Sequence, residues 1–577
     1  KEMDMLDITL KELKNQELKN VEKTCFDIES RLRGTSEIKS KNVFATAYLA
    51  YLVADNKLQN TKELSNYVET ELSFEQSLFL KECIGNLWTV AIEIAHDYTV
   101  ESLLATILWM PISNRRSEIN SETPESIVNL ATRILNIDNE KVADFCCGVG
   151  NFLINAVEQD NNSKYYGIEI NTHYKEISDI RLNLVSDYAE IEQGTVFDLN
   201  INKKFDKIFC DYPWNILKHN TGINKEKLQE FESVVPEIKK VTKSDWLFIM
   251  NVERHLKSNG KAVVIATNGT TWNGGIDKKI RERFLKMGFI EAVISLPANL
   301  YSATAIPVSM IVLSKSNKMV RMVDARSMAS VGRRQNVLSN ETIDQIVDMM
   351  TKDTKNSKCV TFEEIEKEDF AINPSRFIYT EAEVENGIPF ENVITNITRG
   401  AQVKASILDE IVSDNPTDYQ YLMLANIQNG IINDDLPFIK TIDKKLEKYC
   451  VKNNSLVISK NGTPAKVAVV SVPEGRKVLA NGNLYVIELD ETKVNPYFVK
   501  AYLESENGGI ALSRIMVGAV MPNIPVDRLK KIIIPCPEKD KQNKIAEKYL
   551  AKIDEIKVLK YKLSKAIAEM ETIYEEG

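Results

Sequence analysis

The chain has 577 residues, 44% of them hydrophobic and 27% charged, with a net charge of −9. At roughly 150 residues per domain this calls for three or four units, and the mixture is that of a folded rather than a disordered chain. The longest apolar run, residues 43–54, is too short to span about 30 Å of hydrocarbon, and no charged-then-apolar leader opens the chain, which excludes a membrane or secreted protein and predicts a cytoplasmic one.

Eight cysteines are scattered without a CxxC, and only four histidines are present. That usage fits a reducing compartment and predicts no metal site. The acidic total does not decide against nucleic acid, because one basic groove can sit inside an acidic whole.

Residues 1–120 read as helices: apolar positions recur at spacings of three and four, and proline is absent until Pro111. From 121 to 325 short apolar runs (VADFCC, KYYGIEI, KFDKIFCDY, KAVVIATN, EAVISLP, SMIVLSK) alternate with helical patterns. That is the pattern of βα units in a parallel sheet. Residues 326–384 are polar and irregular and read as a connector. Between 385 and 540 short β-type runs separated by Gly, Asn and Pro turns predict a mixed α/β domain. Residues 541–577 form a long helix whose apolar positions, from Ile545 through Ile556, Leu559, Leu563, Ile567 and Met570, suit a coiled coil or packing on the chain's own domain.

The sharpest chemical signal is Asp144-Phe-Cys-Cys-Gly148-Val-Gly150 at the end of a predicted strand, where glycines let a backbone approach a ligand and a helix then begins. Glu169 closes the next strand, and an acid there can accept hydrogen bonds from both hydroxyls of a ribose. Together they imply a nucleoside cofactor. The dinucleotide fingerprint needs a third glycine where this chain has Leu153, so S-adenosylmethionine, which has no pyrophosphate to cradle, is the better reading. Asp198, after the third strand, is placed to accept from an adenine amino group. Cys146, Cys147 and Cys210 read as small packing residues.

A fourth strand ends in Asp211-Tyr212-Pro213-Trp214. This resembles the amino-methyltransferases of DNA, whose fourth motif is (Asn/Asp/Ser)-Pro-Pro-(Tyr/Phe/Trp). Glu122-Thr123-Pro124 is similar to the family element that closes over the methionine end of the cofactor. Asp245-Trp-Leu-Phe-Ile, Gly260 to Gly269, Trp272-Asn-Gly274-Gly275 followed by Ile280-Arg281, then Glu291 through Pro297 and Asn299 to Leu300, and Thr304 to Pro307 continue the likeness. In that order they resemble the modification subunit of type I restriction-modification systems, and Arg31-Leu-Arg-Gly34 is similar, more weakly, to its N-terminal domain. The C-terminal third, with Val517-Gly-Ala-Val-Met-Pro522-Asn523, Leu529 to Pro537 and the helix from Gln542, resembles half of a type I specificity subunit.

The resemblance implies five regions: a helical N-terminal domain (1–120), a Rossmann-like S-adenosylmethionine-dependent methyltransferase domain (121–325), a connector (326–384), a mixed α/β target-recognition domain (385–540) and a coiled-coil spacer helix (541–577). It implies adenine-N6 methylation of double-stranded DNA with base flipping. Asp211 and the Tyr212 carbonyl would accept from the amino group, and Trp214 would stack on the base. Thr123, Pro124, Asp144, Gly148, Gly150, Glu169 and Asp198 would hold the cofactor. Lys404, Lys460, Asn461, Lys466, Arg476 and Lys477 are candidates for DNA contacts. With no Walker-type or nuclease motif, cleavage would come from a separate restriction subunit, and two copies joined through the tail helices could read a bipartite site. Tyr212 departs from the pattern: it gives up the fixed φ of proline and brings a phenol beside the cofactor. That leaves open a silent, sequence-specific DNA-binding subunit, as well as cytosine N4 or a protein amide as acceptor.

Overall fold

The computed structural model describes residues 8–33, 39–83, 86–112, 122–302, 307–332, 335–378, 384–433, 435–461, 465–516 and 523–576. Gly34, residues 304–306 and residues 517–522, each part of a motif above, lie outside the described residues. The chain divides into two compact units, Lys1–Ile378 and Tyr379–Gly577.

In the first unit the leading helices are Leu10–Leu32, Ser40–Asn56, Thr61–Thr70, Phe74–Glu82, Leu87–Asp97 and Val100–Trp109. The first begins with a reciprocal cap: Glu12 N–H donates to Thr9 Oγ1 at 3.2 Å and Thr9 N–H donates to Glu12 Oε2 at 2.8 Å. The apolar run at 43–54 lies inside Ser40–Asn56, where every residue from Val43 to Val53 is buried. It is the hydrophobic centre of a helical bundle. Among the described residues no helix is long and apolar enough to cross a membrane.

The helix Glu125–Leu135 leads into the sheet. Its strands are β1 (Lys141–Phe145), β2 (Lys164–Glu169), β3 (Ala189–Gln193), β4 (Phe205–Cys210), β5 (Leu256–Thr267), β6 (Ile290–Ser295), β7 (Val308–Leu313) and β8 (Met319–Asp324). After the small hairpin β9 (Ser330–Val331) and β10 (Asn336–Val337), β11 (Ser357–Thr361) adds the last strand. The order is β11-β8-β6-β7-β5-β4-β1-β2-β3. Strands β3, β2, β1, β4 and β5 run parallel, whereas β7 is antiparallel between β5 and β6. Strand β7 is buried at every residue, as expected of a strand covered on both faces. Because β11 pairs antiparallel with β8, part of the stretch read as a connector is the polar edge of this sheet.

The strand order reverses between β1 and β4, and ligands of doubly wound sheets bind in the crevice at such a switch point. Register pairs Phe145 with Cys210 and with Ile168. The residues that follow, Cys146, Asp211 and Glu169, therefore emerge side by side at the carboxyl ends of three neighbouring strands.

The second unit opens with β12 (Gly387–Pro389), β13 (Ile394–Arg399), β14 (Val412–Ser413), β15 (Tyr419–Leu422), the hairpin β16 (Ile427–Gln428) and β17 (Ile431–Ile432), and β18 (Phe438–Ile439). It continues with β19 (Leu456–Ser459), β20 (Val467–Val469), β21 (Lys477–Ala480), β22 (Leu484–Leu489) and β23 (Ile533–Pro535). The two larger sheets are β13-β22-β19-β20 and β14-β18-β15-β21. The first packs on the helix Pro496–Glu504 through Leu456, Ile487, Phe498 and Leu503. The helix Lys539–Glu576 is anchored near its start. Buried Gln542 donates to the carbonyls of Lys493 (3.0 Å) and Pro537 (2.8 Å), and Tyr549 meets Lys500 and Glu504. Farther on, Leu559, Leu563, Ile567 and Met570 are exposed.

Candidate active site

After β1 the backbone makes a turn that takes Cys146, Gly148 and Gly150 to φ of 69°, 55° and 87°. Gly150 has a second constraint, since a Cβ there would lie 2.8 Å from Ser178 Oγ on the neighbouring helix Thr172–Val185. The space at Gly148 is open, so there the left-handed conformation alone asks for glycine. Gly148 N–H donates to Glu169 Oε2 at 2.8 Å, and Asn171 N–H donates to Glu169 Oε1 at 2.8 Å. Burial raises the Glu169 carboxyl above its usual range despite these donors. Ile170, the next residue, is 69% exposed, an apolar side chain held out at the mouth of the crevice.

Asp144 is 2% exposed, and its Oδ1 has no hydrogen-bond partner. Its carboxyl is pushed well up, first by burial and then by the neighbouring charges of Asp211 and Glu169.

Asp211 is half-buried. Its Oδ2 accepts from Thr123 Oγ1 at 2.6 Å and from the Tyr301 hydroxyl at 2.7 Å. Burial pushes the carboxyl up to about 6, while the two hydroxyls pull the other way. Thr123 stands next to Pro124, which caps the helix Glu125–Leu135. Pro213 is exposed and Trp214 half-buried. The Trp214 ring meets Tyr301 edge-on at 4.8 Å, and its Nε1 donates to the Ile265 carbonyl at 3.4 Å.

The Tyr212 phenol lies flat on Phe248, with ring centres 4.8 Å apart and planes 3° apart, and donates to Asp245 Oδ1 at 3.0 Å. It is 1% exposed. Tyr212 thus sits in the hydrophobic core rather than beside the glycine turn, and supplies a buried hydrogen bond where proline would supply a fixed φ.

Sequence reasoning missed three residues. Tyr301 directly follows the Pro297-to-Leu300 segment but carries no signal for contact with a residue 90 positions away. Ile170 follows Glu169 and by its apolar character reads only as strand. Arg181 is fully buried on the helix Thr172–Val185. Its guanidinium donates to the carbonyls of Ile107 (2.8 Å), Met110 (2.6 Å) and Val149 (3.1 Å), joining the leading helices to the glycine turn. Asp198 lies exposed on the single helical turn Val196–Asp198 after β3.

In the second unit, Lys404 is exposed, while Lys460 and Asn461 are half-buried. Lys466 donates to the carbonyls of Leu424 (3.1 Å) and Ile427 (2.8 Å), so its ammonium closes a loop of its own domain. Arg476 lies 4.8 Å over the Phe438 ring, and Lys477 pairs with Glu447 at 3.1 Å.

The sheet order with β7 antiparallel between β5 and β6, and three acids at the switch point, is a Rossmann-like α/β fold. Residues 120–386 match the N-6 DNA Methylase family and residues 398–569 match the type I restriction modification DNA specificity domain. The chain thus carries, in order, a stretch similar to the first family and a stretch similar to the second.

The MjaIX type I restriction enzyme methylase subunit of Methanocaldococcus jannaschii is 26% identical over 301 residues, 47% of this chain and 53% of that protein. The MpnII methylase subunit of Mycoplasma pneumoniae is 24% identical over 411 residues, 64% of this chain and 72% of its own. The chain spans about half the length of the first curated relatives it matches. The crystal structure of the type IIG restriction endonuclease BpuSI is similar in fold, with 14% identity and a TM-score of 0.52 over 92% of this chain and 74% of that one.

Proposed function

We propose that the chain is an S-adenosylmethionine-dependent DNA methyltransferase that modifies N6 of adenine in a restriction-modification or related defence system, and that selects its target with its own C-terminal unit. The observation that carries this reading is Asp211. It stands at the switch point with one carboxylate oxygen taken by two hydroxyls and the other without a protein donor among the hydrogen bonds described, beside the acids of β1 and β2.

The residues present fit the cofactor. The unpartnered Asp144 Oδ1 suits the ammonium of its methionine part, and Glu169 suits the ribose hydroxyls. Ile170 offers an apolar surface and Asp198 an acceptor for the adenine. The turn through Gly148 and Gly150 brings backbone close, with Thr123 and Pro124 over the methionine end. When bound, S-adenosylmethionine supplies an electrophilic methyl on a sulfonium.

The adenine amino group is a poor nucleophile because its lone pair is delocalised into the ring. The target base must leave the duplex, with Trp214 as its stacking surface. Asp211 Oδ1 and the Tyr212 carbonyl accept the two amino hydrogens, which frees the lone pair toward the methyl. Most of the acceleration is positioning. The proton released on transfer is held at Asp211 Oδ1.

We assign DNA contacts in the second unit to Lys404, Lys460, Asn461 and Arg476, with Lys466 occupied internally. The five regions read from the sequence serve as functional divisions. The partners are double-stranded DNA, a second copy paired through the tail helix as a coiled coil, and a separate restriction subunit, all in a cytoplasmic setting.

The test is methyl transfer from labelled S-adenosylmethionine to genomic DNA lacking the modification, read as nucleosides by mass spectrometry. Label in N6-methyladenine that disappears with Asp211→Ala supports the reading. Label in N4-methylcytosine, or none despite bound cofactor and DNA, overturns it.

A further inference from the structure

We propose that Tyr301 is a positioning residue: with Thr123 it occupies one oxygen of Asp211, so that the carboxylate presents a single acceptor to the target amino group. The inference rests on the methyltransferase reading above.

An asparagine offers one acceptor oxygen and an NH2 that can only donate. An aspartate offers two equivalent acceptors and no fixed direction. In this chain the second oxygen is taken. Thr123 Oγ1 and the Tyr301 hydroxyl both donate to Asp211 Oδ2, at 2.6 and 2.7 Å. They come from segments 88 and 90 residues away, one before β1 and one after β6, so the arrangement is built by the fold and not by local sequence. The two donors orient the carboxylate plane and leave Oδ1 for the substrate. The Tyr301 ring also meets Trp214 edge-on, so one side chain braces both the acceptor and the aromatic.

The same contacts govern protonation. The groups that bear on Asp211 are the Thr123 and Tyr301 hydroxyls, the Asp144 carboxyl on β1 and the Cys210 thiol on β4. Only the two hydroxyls favour the charged form. Burial opposes it.

The experiment compares wild type with Tyr301→Phe, which keeps the ring and its Trp214 contact. Loss of one hydrogen bond to a charged acceptor should move the acid limb of the methyl-transfer profile up by about one pH unit. It should lower the rate at pH 6 more than at pH 8, with the cofactor KM little changed. An unchanged acid limb, or a loss equal at every pH, overturns the proposal. A second readout is infrared titration of the free protein, with the protonated carboxyl band assigned by its loss in Asp211→Asn. In Tyr301→Phe that band should titrate about one unit higher, and an unmoved band overturns the proposal even if no DNA is methylated. If wild type transfers no methyl and the band still shifts, the functional reading fails and the positioning role stands. Thr123→Val tests the other hydroxyl and should shift both readouts in the same direction.

Discussion

Arg181 donates to the Val149 carbonyl at 3.1 Å from behind the glycine turn, while the same guanidinium holds Ile107 and Met110 of the leading helices. The glycine turn is therefore braced from behind by Arg181, and the helical region is part of the scaffold of the candidate site. Burial lowers the Arg181 guanidinium to about 10, so it stays charged at neutral pH.

Replacing Arg181 by Met keeps the volume and leaves three buried carbonyls without their donor. Each unsatisfied group costs about 1–3 kcal/mol, so the loss should exceed about 3 kcal/mol and appear as a lower urea midpoint. Cofactor affinity, read by calorimetry on the fraction that still folds, should fall at least about tenfold if the turn loosens by 1.4 kcal/mol. Unchanged affinity would show that the turn holds its shape without the brace.

For Tyr212→Phe the stacking on Phe248 survives and the hydrogen bond to Asp245 is lost. Asp245 retains Thr270 Oγ1 at 3.4 Å and Thr267 Oγ1 at 3.5 Å, both long. The expected cost is about 1–2 kcal/mol of stability, with methyl transfer reduced by less than it is in Asp211→Ala. A thermal melt and a rate at saturating cofactor check both statements. A loss of activity as complete as that of Asp211→Ala would mean that the hydroxyl itself is needed.

The local parts of this site were legible in sequence. The Asp144 turn, Glu169 and Asp211 each follow a recognisable apolar run, and the helical and α/β regions follow from periodicity. What joins them was not. Tyr301 and Arg181 act through contacts 32 to 90 residues distant, and no spacing rule reports such pairs. The placement of β7 between β5 and β6, and of β11 at the edge, depends on how crossovers pack rather than on strand composition. Lys466 looks like any surface lysine until its carbonyl partners are seen.

Asp144, buried with Oδ1 unpartnered, costs the folded protein stability. Its carboxyl is raised well above the ordinary value of 3.8, and Asp211 is raised to about 6. In the pH window above 3.8 the unfolded chain releases these protons while the folded chain keeps them. Stability of the free protein therefore falls as pH rises from about 4 through 6. Asp144→Asn should flatten part of that slope and raise the melting point at pH 7. It should also weaken cofactor binding, because the cation loses its counter-charge. Denaturant melts across pH 4 to 8, with and without S-adenosylmethionine, separate the two effects. A variant that binds the cofactor as tightly as wild type would remove Asp144 from the cofactor site.

The tail helix carries the last prediction. Beyond Tyr549, Leu559 is 57% exposed and Leu563 62% exposed, and side chains so exposed contribute little to the stability of their own unit. Leu559→Glu with Leu563→Glu should leave the melting point of a monomer unchanged within about 0.5 kcal/mol. If two copies pair through this face, each copy buries both leucines, and the charges should shift sedimentation from dimer to monomer. Loss of the dimer should then reduce affinity for a two-part DNA site far more than for a single half-site, because the second contact is made at high effective concentration. Wild-type protein that sediments as a monomer both free and on DNA would end the pairing proposal, and the apolar face would then need a different partner.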